Sequence, residues 1–451
     1  MFRRDVRTRD PDESIWLYLT ENVFRQHLVA LEERTNAVPL EPQVFTTAEW
    51  HPPSPNESKT QHTLPLAVEQ QVADEFACLV AVEEGAQSVA AVCIEEHPQA
   101  PRLTLRFAAM DVSFNDTVQS ALEEWSVILS RAAAGNGPPL FDPLFDPVEA
   151  LFHGVIRLHF RRLLARLRSS KWIKPKYLSK SHKKPLWQDM EGLIHRVQFV
   201  YTKKERATRV LVEKLLGDLA AVYEAFEHAL EDELTEMEHV VLSSFEFCST
   251  SAIKGYLLRL ESSVGAKPTN QMASALKSLR QIQKIASYRR MSISLVKIAK
   301  EYPCLFEGGI TLAYLTPYQS VPTNIGYEEW ATTCHVHAEV QLAVHYDLIS
   351  QQKGQPYLTP QAIGISKSLC YLCYRFLLAH QGFFPSRTHG RLYDQWTLPD
   401  LAEFDEAIVK RYRNILKDID EEVGRHTENE PELWRIEPMT SIDVYYVPHQ
   451  T

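Results

Sequence analysis

The chain has 451 residues, of which 45% are apolar and 24% charged, a soluble-protein balance in a length that predicts two or three domains rather than one core. Only 16 glycines stand beside 26 prolines, and no fixed-period repeat occurs, which argues for helices joined by proline-marked loops and against sandwiches or propellers. The net charge of -10 excludes a uniformly basic nucleic-acid binder, and seven scattered cysteines (78, 93, 248, 304, 334, 370, 373) exclude a disulfide scaffold.

The first residues, MFRRDVRTRDPDESIW, carry no apolar segment of signal-peptide length. No run of 18 apolar residues follows, so no membrane span is expected. An intracellular protein of the cytoplasm or nucleus is the resulting expectation.

In chain order, Ser14 to Glu33 has helical apolar spacing, with Trp16, Leu19, Val23, Leu28 and Leu31, and Val38 to Leu66 is a proline-rich irregular stretch. Between 76 and 108, FACLVAVEE, SVAAVCIEE and RLTLRFAAM predict an antiparallel meander. Asn115 and Asp116 are placed to cap a helix running through Ala134. Pro147 opens the next helix. Residues 147–300 are predicted mostly helical, interrupted by the basic loop KWIKPKYLSKSHKK.

Residues 301–451 return to mixed structure. GITLAYLTP (309–317) predicts a strand, HAEVQLAVHYDLISQQ a helix, and YLTPQAIGIS a strand leading to a turn. SLCYLCYRFLLAHQG predicts a helix closed by Gly382, and LAEFDEAIVKRYRNILKDIDEEV a further helix. SIDVYYVP is a last candidate strand. The division expected is 1–115 (helix, proline-rich loop and meander), 116–300 (helical), 301–420 (a zinc domain, argued next) and a tail at 421–451.

Chemistry concentrates in His337-Ala338-Glu339 and Cys370-x-x-Cys373, 33 residues further on. Thiolate and neutral imidazole suit zinc's borderline softness, and three protein ligands leave a fourth position for water. A C-x-x-C at a helix start puts both sulfurs on one side of one metal, where the helix dipole favours thiolates. Glu339, two residues past His337, is placed near the metal without being a ligand, as a proton shuttle requires.

His-Ala-Glu on one helix and Cys-x-x-Cys opening the next resemble the signature of the cytidine-deaminase-like superfamily. The blocks VHAEVQL, SKSLCYLC and RTHGRLYDQWTLP are similar to the nucleic-acid/nucleotide deaminase-like family abundant in filamentous fungi. The resemblance covers about residues 300–400. It implies a three-layer α/β domain with a large, mostly helical N-terminal or inserted region. It also implies Zn2+ held by His337, Cys370 and Cys373, Glu339 as the acid/base, and hydrolytic deamination of a base in a nucleoside, nucleotide or nucleic acid. One departure stands out: the superfamily usually places proline before the first cysteine, and this chain has Leu369. Ser366 or Ser368 is then expected to cap the helix. Ser366-Lys367 match the family's S-K pair and, with Arg387 and His389, are candidate substrate contacts.

Rival readings accompany each of these. His335 is the alternative ligand, in a structural Cys2His2 site. Cys334 and His345 read as core residues, His345 as a satisfied one. His389 reads as a turn residue or a substrate contact, and Trp396 as core or a stacking wall. Between Arg157 and Lys184 lie eleven basic residues and no acid, and between Ser262 and Lys300 eight more. Segments 157–184 and 262–300 are either a nucleic-acid or nucleotide surface or a solvated face balancing the acidic stretch Glu224 to Glu238. The meander at 76–108 and the strand at 309–317 are expected to share one sheet, with the helices between as an insertion. The second functional class is a zinc-stabilised pseudoenzyme that binds without catalysis.

Overall fold

A computed structural model describes residues 3–47, 50, 62–83, 89–100, 102–111, 114–135, 145–176, 184–262, 269–351, 354–430 and 434. Along the chain run α1 (Glu21–Thr35), β1 (Gln43–Val44), α2 (Leu66–Val80), β2 (Ala90–Glu96), β3 (Leu103–Ala109), α3 (Asp116–Ala133), α4 (Pro147–Leu167) and α5 (Trp187–Val200). Next come α6 (Arg206–His228), α7 (Glu233–Ser249), α8 (Ser251–Ser262), α9 (Asn270–Glu301), α10 (Pro303–Phe306), β4 (Ile310–Tyr314), β5 (Val321–Pro322) and β6 (Thr333–Cys334). The last elements are α11 (Ala338–Ser350), β7 (Gly364–Ile365), α12 (Tyr371–His380), β8 (Arg387–Thr388) and α13 (Glu406–Glu428).

Two compact units result. Among the described residues, the first takes those up to Ala81, those from 89 through Ala134, and those from Ala299 onward; the second takes 82–83 and Gly135–Ile298. The segments expected separately at 1–115 and 301–420 therefore fall in one unit, and α3 joins them instead of the helical region. The tail expected from 421 begins inside α13, and the strand expected at SIDVYYVP lies outside the described residues.

The first unit is built on a four-stranded sheet in the order β4-β3-β2-β7. β2 and β3 form an antiparallel hairpin from Ala90↔Ala109 to Glu96↔Leu103. β4 pairs parallel to β3, and β7 antiparallel to β2. The hairpin and the 309–317 strand thus share one sheet, and the whole helical unit lies in the chain connection between the parallel neighbours β3 and β4. β2 is buried at all seven residues, so both its faces are covered, which explains its continuous apolar run. α2 and α11 pack on it. Gly364 makes this possible on β7, since a Cβ there would lie 2.1 Å from the Ala73 carbonyl carbon.

Several expectations are corrected. FACLVAVEE is not a first strand of the meander: through Val80 it is the second half of α2, which is buried on several sides, and an apolar run of that kind has no period separating strand from helix. The first helix begins at Glu21 with Thr20 as its cap, because the Ser14 hydroxyl bonds Asp400 at 2.5 Å instead. Gln381 takes the left-handed position that closes α12 (φ 58°). Gly382 is required for space, as its Cβ would meet the His380 ring at 2.6 Å. Asn115 does cap α3, and Pro147 does open α4 behind Asp146.

The second unit is all-helical among its described residues. α6 packs on α5 and α7, and α7 on α4 and α8. Its buried hydroxyls are paired, Tyr223 with Ser244 at 2.6 Å and Tyr256 with the Leu193 carbonyl at 2.9 Å.

Candidate metal centre

Two helix starts converge at the centre. His337 is the extended residue preceding α11 (φ −65°, ψ 153°), and Cys370 stands in the same position before α12 (φ −71°, ψ 166°). The start of α11 is clipped to the end of β3 by Gln341, whose side-chain amide donates to the carbonyls of Ala109 (2.9 Å), Met110 (3.1 Å) and Val336 (2.9 Å). The start of α12 caps itself: Cys370 Sγ accepts the Cys373 amide at 3.3 Å. This replaces the serine cap expected from sequence, since Ser366 Oγ accepts the Ala90 amide at 3.0 Å.

Ligand atoms of His337, Cys370 and Cys373 lie within 4.8 Å of one another and could hold a metal ion. His337 Nδ1 is 3.6 Å from Cys370 Sγ and 3.4 Å from Cys373 Sγ. Nitrogen and sulfur at about 2.0 and 2.3 Å from a tetrahedral zinc would be about 3.5 Å apart, so the donor set fits that ion in type and spacing. Glu339 is buried, and its Oε2 accepts from the Cys373 thiol at 3.6 Å.

The electrostatics are those of a dry, crowded centre. Burial opposes charge on Cys370, but Cys373, the His337 imidazole and the Cys373 amide hold its thiol well below the usual range. Burial and the neighbouring Cys370 push Cys373 well up. His337 is raised despite its burial, by the charge and hydrogen bond of Cys370 and by Glu339 and Asp111. Burial raises Glu339, with the Cys370 charge adding to it against His337.

His335 is not a ligand: its Nδ1 bonds Asp111 Oδ1 at 2.6 Å and its Nε2 faces the Thr333 hydroxyl at 3.1 Å. Cys334 is a buried thiol pushed up to about 12 by burial. His345 is a neutral histidine within α11, pushed down to about 3 by burial, but it is not satisfied, as its Nε2 has no hydrogen-bond partner among the described residues.

The candidate substrate contacts divide. Arg387 faces Asp74 at 3.5 Å, and Ser366 is wholly buried in its bond to Ala90. His389 Nδ1 accepts the Arg391 amide at 3.0 Å, the turn role. Burial pushes its ring down to about 4, where Arg391 and Lys367 also act on it and Cys370 acts in the opposite sense. Lys367 is half-buried. Trp396 is core, packed 6.2 Å from Phe376 and 6.4 Å from Phe24. Its indole N–H lies toward Cys373 and draws that thiol down, without reaching hydrogen-bond geometry to any described residue.

Sequence reasoning overlooked Gln341, Asp111, Arg391 and Tyr393. The Tyr393 ring stands 6.5 Å from the His337 ring and 6.0 Å from that of His389. Only the blocks VHAEVQL and RTHGRLYDQWTLP pointed toward three of these residues, and nothing in the sequence marked Asp111.

Leu369 also has a physical account. Its amide donates to the Arg387 carbonyl at 3.0 Å, and its carbonyl accepts from His389 at 3.1 Å. Proline there would lack the N–H.

The basic segments lie in the helical unit. Arg168 and Lys184 pair with Asp189 (2.5 and 3.2 Å), Lys171 with Glu233 (2.8 Å) and Arg289 with Glu149 (2.5 Å). Lys174 and Lys176 are exposed, and residues 177–183 and 263–268 lie outside the described residues.

Residues 336–400, which include His337, Glu339, Cys370 and Cys373, match the family model of OTT_1508-like deaminases. That family is a deaminase family of the cytidine-deaminase-like superfamily, so this segment is deaminase-like. The chain matches no curated protein and no solved structure. No helix among the described residues is long and apolar enough to cross a membrane.

Proposed function

We propose that the first unit is a cytidine-deaminase-like domain and that the chain is a zinc-dependent hydrolase that deaminates a nucleobase in a nucleoside, nucleotide or nucleic acid. The observation that carries this is the convergence of one imidazole nitrogen and two sulfurs at tetrahedral spacing, with a buried carboxylate, Glu339, against them.

His337, Cys370 and Cys373 would hold the metal. When bound, zinc supplies Lewis acidity and a nucleophile drawn from water near neutral pH. Glu339 accepts the proton of the attacking water and passes it to the ring nitrogen. It then carries the second water proton to the exocyclic amine, which leaves as ammonia while the ring carbon keeps the oxygen. Burial raises Glu339 above the usual carboxylate range, which favours a carboxyl that takes up a proton and passes it on. Tyr393 and His389 border the centre as walls against which a planar base packs.

A zinc-stabilised binding module without catalysis leaves the buried carboxylate of Glu339 without a purpose, since a structural site needs no base. The usual proline is replaced here by a residue whose amide is in use, so its absence does not weigh toward that module. The basic segment 157–184 remains a proposed contact for polymeric substrates through the exposed Lys174 and Lys176, with 262–300 proposed beside it.

The test is ammonia release by zinc-loaded protein across nucleosides, nucleotides and single-stranded DNA and RNA, with Glu339→Ala as control. Release that requires Glu339 is expected. No release from any member, or equal release by the variant, overturns the proposal.

A further inference from the structure

Arg391 is unusual among the arginines around the centre. Arg387 faces Asp74 and Arg375 faces Glu422 at 2.6 Å. Arg391 makes no ion pair and no side-chain hydrogen bond among the described residues; its guanidinium lies over the Tyr393 ring, 5.2 Å from the centroid. The buried Glu32 carboxyl lies within its field but makes no ion pair with it among the described residues. Burial of Glu32 and the neighbouring Asp394 raise that carboxyl to about 8, which weakens it as a counter-charge near neutral pH.

The backbone that carries Arg391 is held from every side. Its amide donates to His389 Nδ1, its carbonyl accepts from Tyr371 at 2.8 Å, and Leu392 donates to the Ala37 carbonyl at 2.9 Å. Gly390 supplies the left-handed turn (φ +70°) and passes so close to Leu40 that a Cβ would sit 1.8 Å from its carbonyl oxygen. A half-buried, uncompensated guanidinium on a rigid turn is costly unless something uses it. Stacking on an aromatic face leaves the edge donors of arginine directed outward, the geometry that receives two oxygens of one phosphate. Tyr393 is shared with the metal centre, so the guanidinium is no farther from the His337 ring than the two ring separations together. Lys367, acting on the same His389, adds a second positive charge.

We propose that Arg391, supported by Lys367, recognises a phosphate group of the substrate, so that the base enters this centre as part of a phosphorylated compound and not as a free nucleoside. This rests on the deaminase reading for the base and on Arg391 alone for the phosphate.

Binding to the zinc-loaded full chain carrying Glu339→Ala tests it by calorimetry. The ligands are nucleosides, their 5′-monophosphates, trinucleotides ending in a 5′-hydroxyl, and ribose 5-phosphate. Phosphorylated ligands should bind at least about tenfold tighter than nucleosides, and adding Arg391→Ala should shrink that preference by about 10- to 100-fold, with Arg391→Lys keeping part of it. Preference for 5′-monophosphates identifies a terminal phosphate, and preference for trinucleotides a phosphodiester. Zinc content and melting temperature are followed in parallel. If Arg391→Ala lowers either, Arg391→Gln, which keeps a planar amide over Tyr393, carries the measurement. Equal binding of nucleosides and phosphorylated ligands, or a preference that survives both variants, overturns the assignment and leaves the deaminase reading intact. Arg391-dependent binding of ribose 5-phosphate with no affinity for any base does the reverse.

Discussion

The amide of Leu369 donates to the carbonyl of Arg387 at 3.0 Å, joining the approach to α12 to β8 one residue before the first cysteine of the candidate centre. A proline at 369 deletes that donor and strands a carbonyl. Leu369→Pro is expected to be less stable than Leu369→Ala by roughly 1–3 kcal/mol, both variants sharing the loss of the buried leucine. Urea denaturation of the pair decides it, and equal midpoints and slopes would show that the bond contributes nothing.

Glu339→Ala removes the proposed proton shuttle and none of the three residues proposed as ligands. It should keep zinc and near-native stability while turnover falls by about 10²–10⁴-fold or more. A variant that retains full ammonia release contradicts the role given to this carboxylate.

Cys370→Ser strikes the metal and the helix start together, because the same sulfur caps α12. Metal content should drop and thermal stability with it, since zinc binding is coupled to folding. Elemental analysis and a melting curve are sufficient. Unchanged zinc and an unchanged melting temperature would mean that no metal sits among these three side chains.

Gln341→Ala leaves the carbonyls of Ala109, Met110 and Val336 without their shared donor and frees the start of α11 from β3. A stability loss of about 2–4 kcal/mol is expected, with weaker zinc binding in a chelator competition as His337 loses its fixed position. Gln341→Glu, of similar size but with no amide donor, should behave as the alanine variant does. Full zinc affinity in both would place the positioning of His337 elsewhere.

Glu32 sets a pH dependence. Its folded-state value of about 8 lies above the model-peptide value of 4.5, so between these the folded chain binds more protons than the unfolded one and stability falls as pH rises. The contribution is complete below pH 4.5 and is lost as pH climbs through 8. Glu32→Gln removes this slope and should gain on the parent by on the order of a few kcal/mol between pH 5 and 8. Parallel stability curves for the two proteins across that range would rule out a buried, proton-holding Glu32.

The candidate metal cluster was legible in the sequence because a metal site constrains residue type and local spacing at once, and the structure brings His337, Cys370 and Cys373 together. His337 with Glu339, and Cys370 with Cys373, are each organised by a single helix start, and one turn of backbone geometry is written in a few consecutive residues. Cap positions at Asn115 and Pro147 were legible for the same reason. α2 was not, because a segment buried on several sides carries no period, and its identity depends on packing against β2 and β7. The roles of Ser366 and Arg387 also turned on distant partners, Ala90 and Asp74, which claim side chains that stand beside the motif in sequence.

What the sequence by itself determined is therefore the donor set of the candidate centre: an imidazole and two sulfurs that could hold a metal, and a carboxylate beside them. Tertiary structure alone decided which neighbours are free to act on a substrate. Gln341 reaches β3, His335 is taken by Asp111, and Arg391 lies over Tyr393 with no ion pair among the described residues. These outcomes follow from contacts between residues as far apart in the chain as Asp111 and His335, and burial and charge at such contacts depend on which strands and helices meet, a property no local pattern encodes.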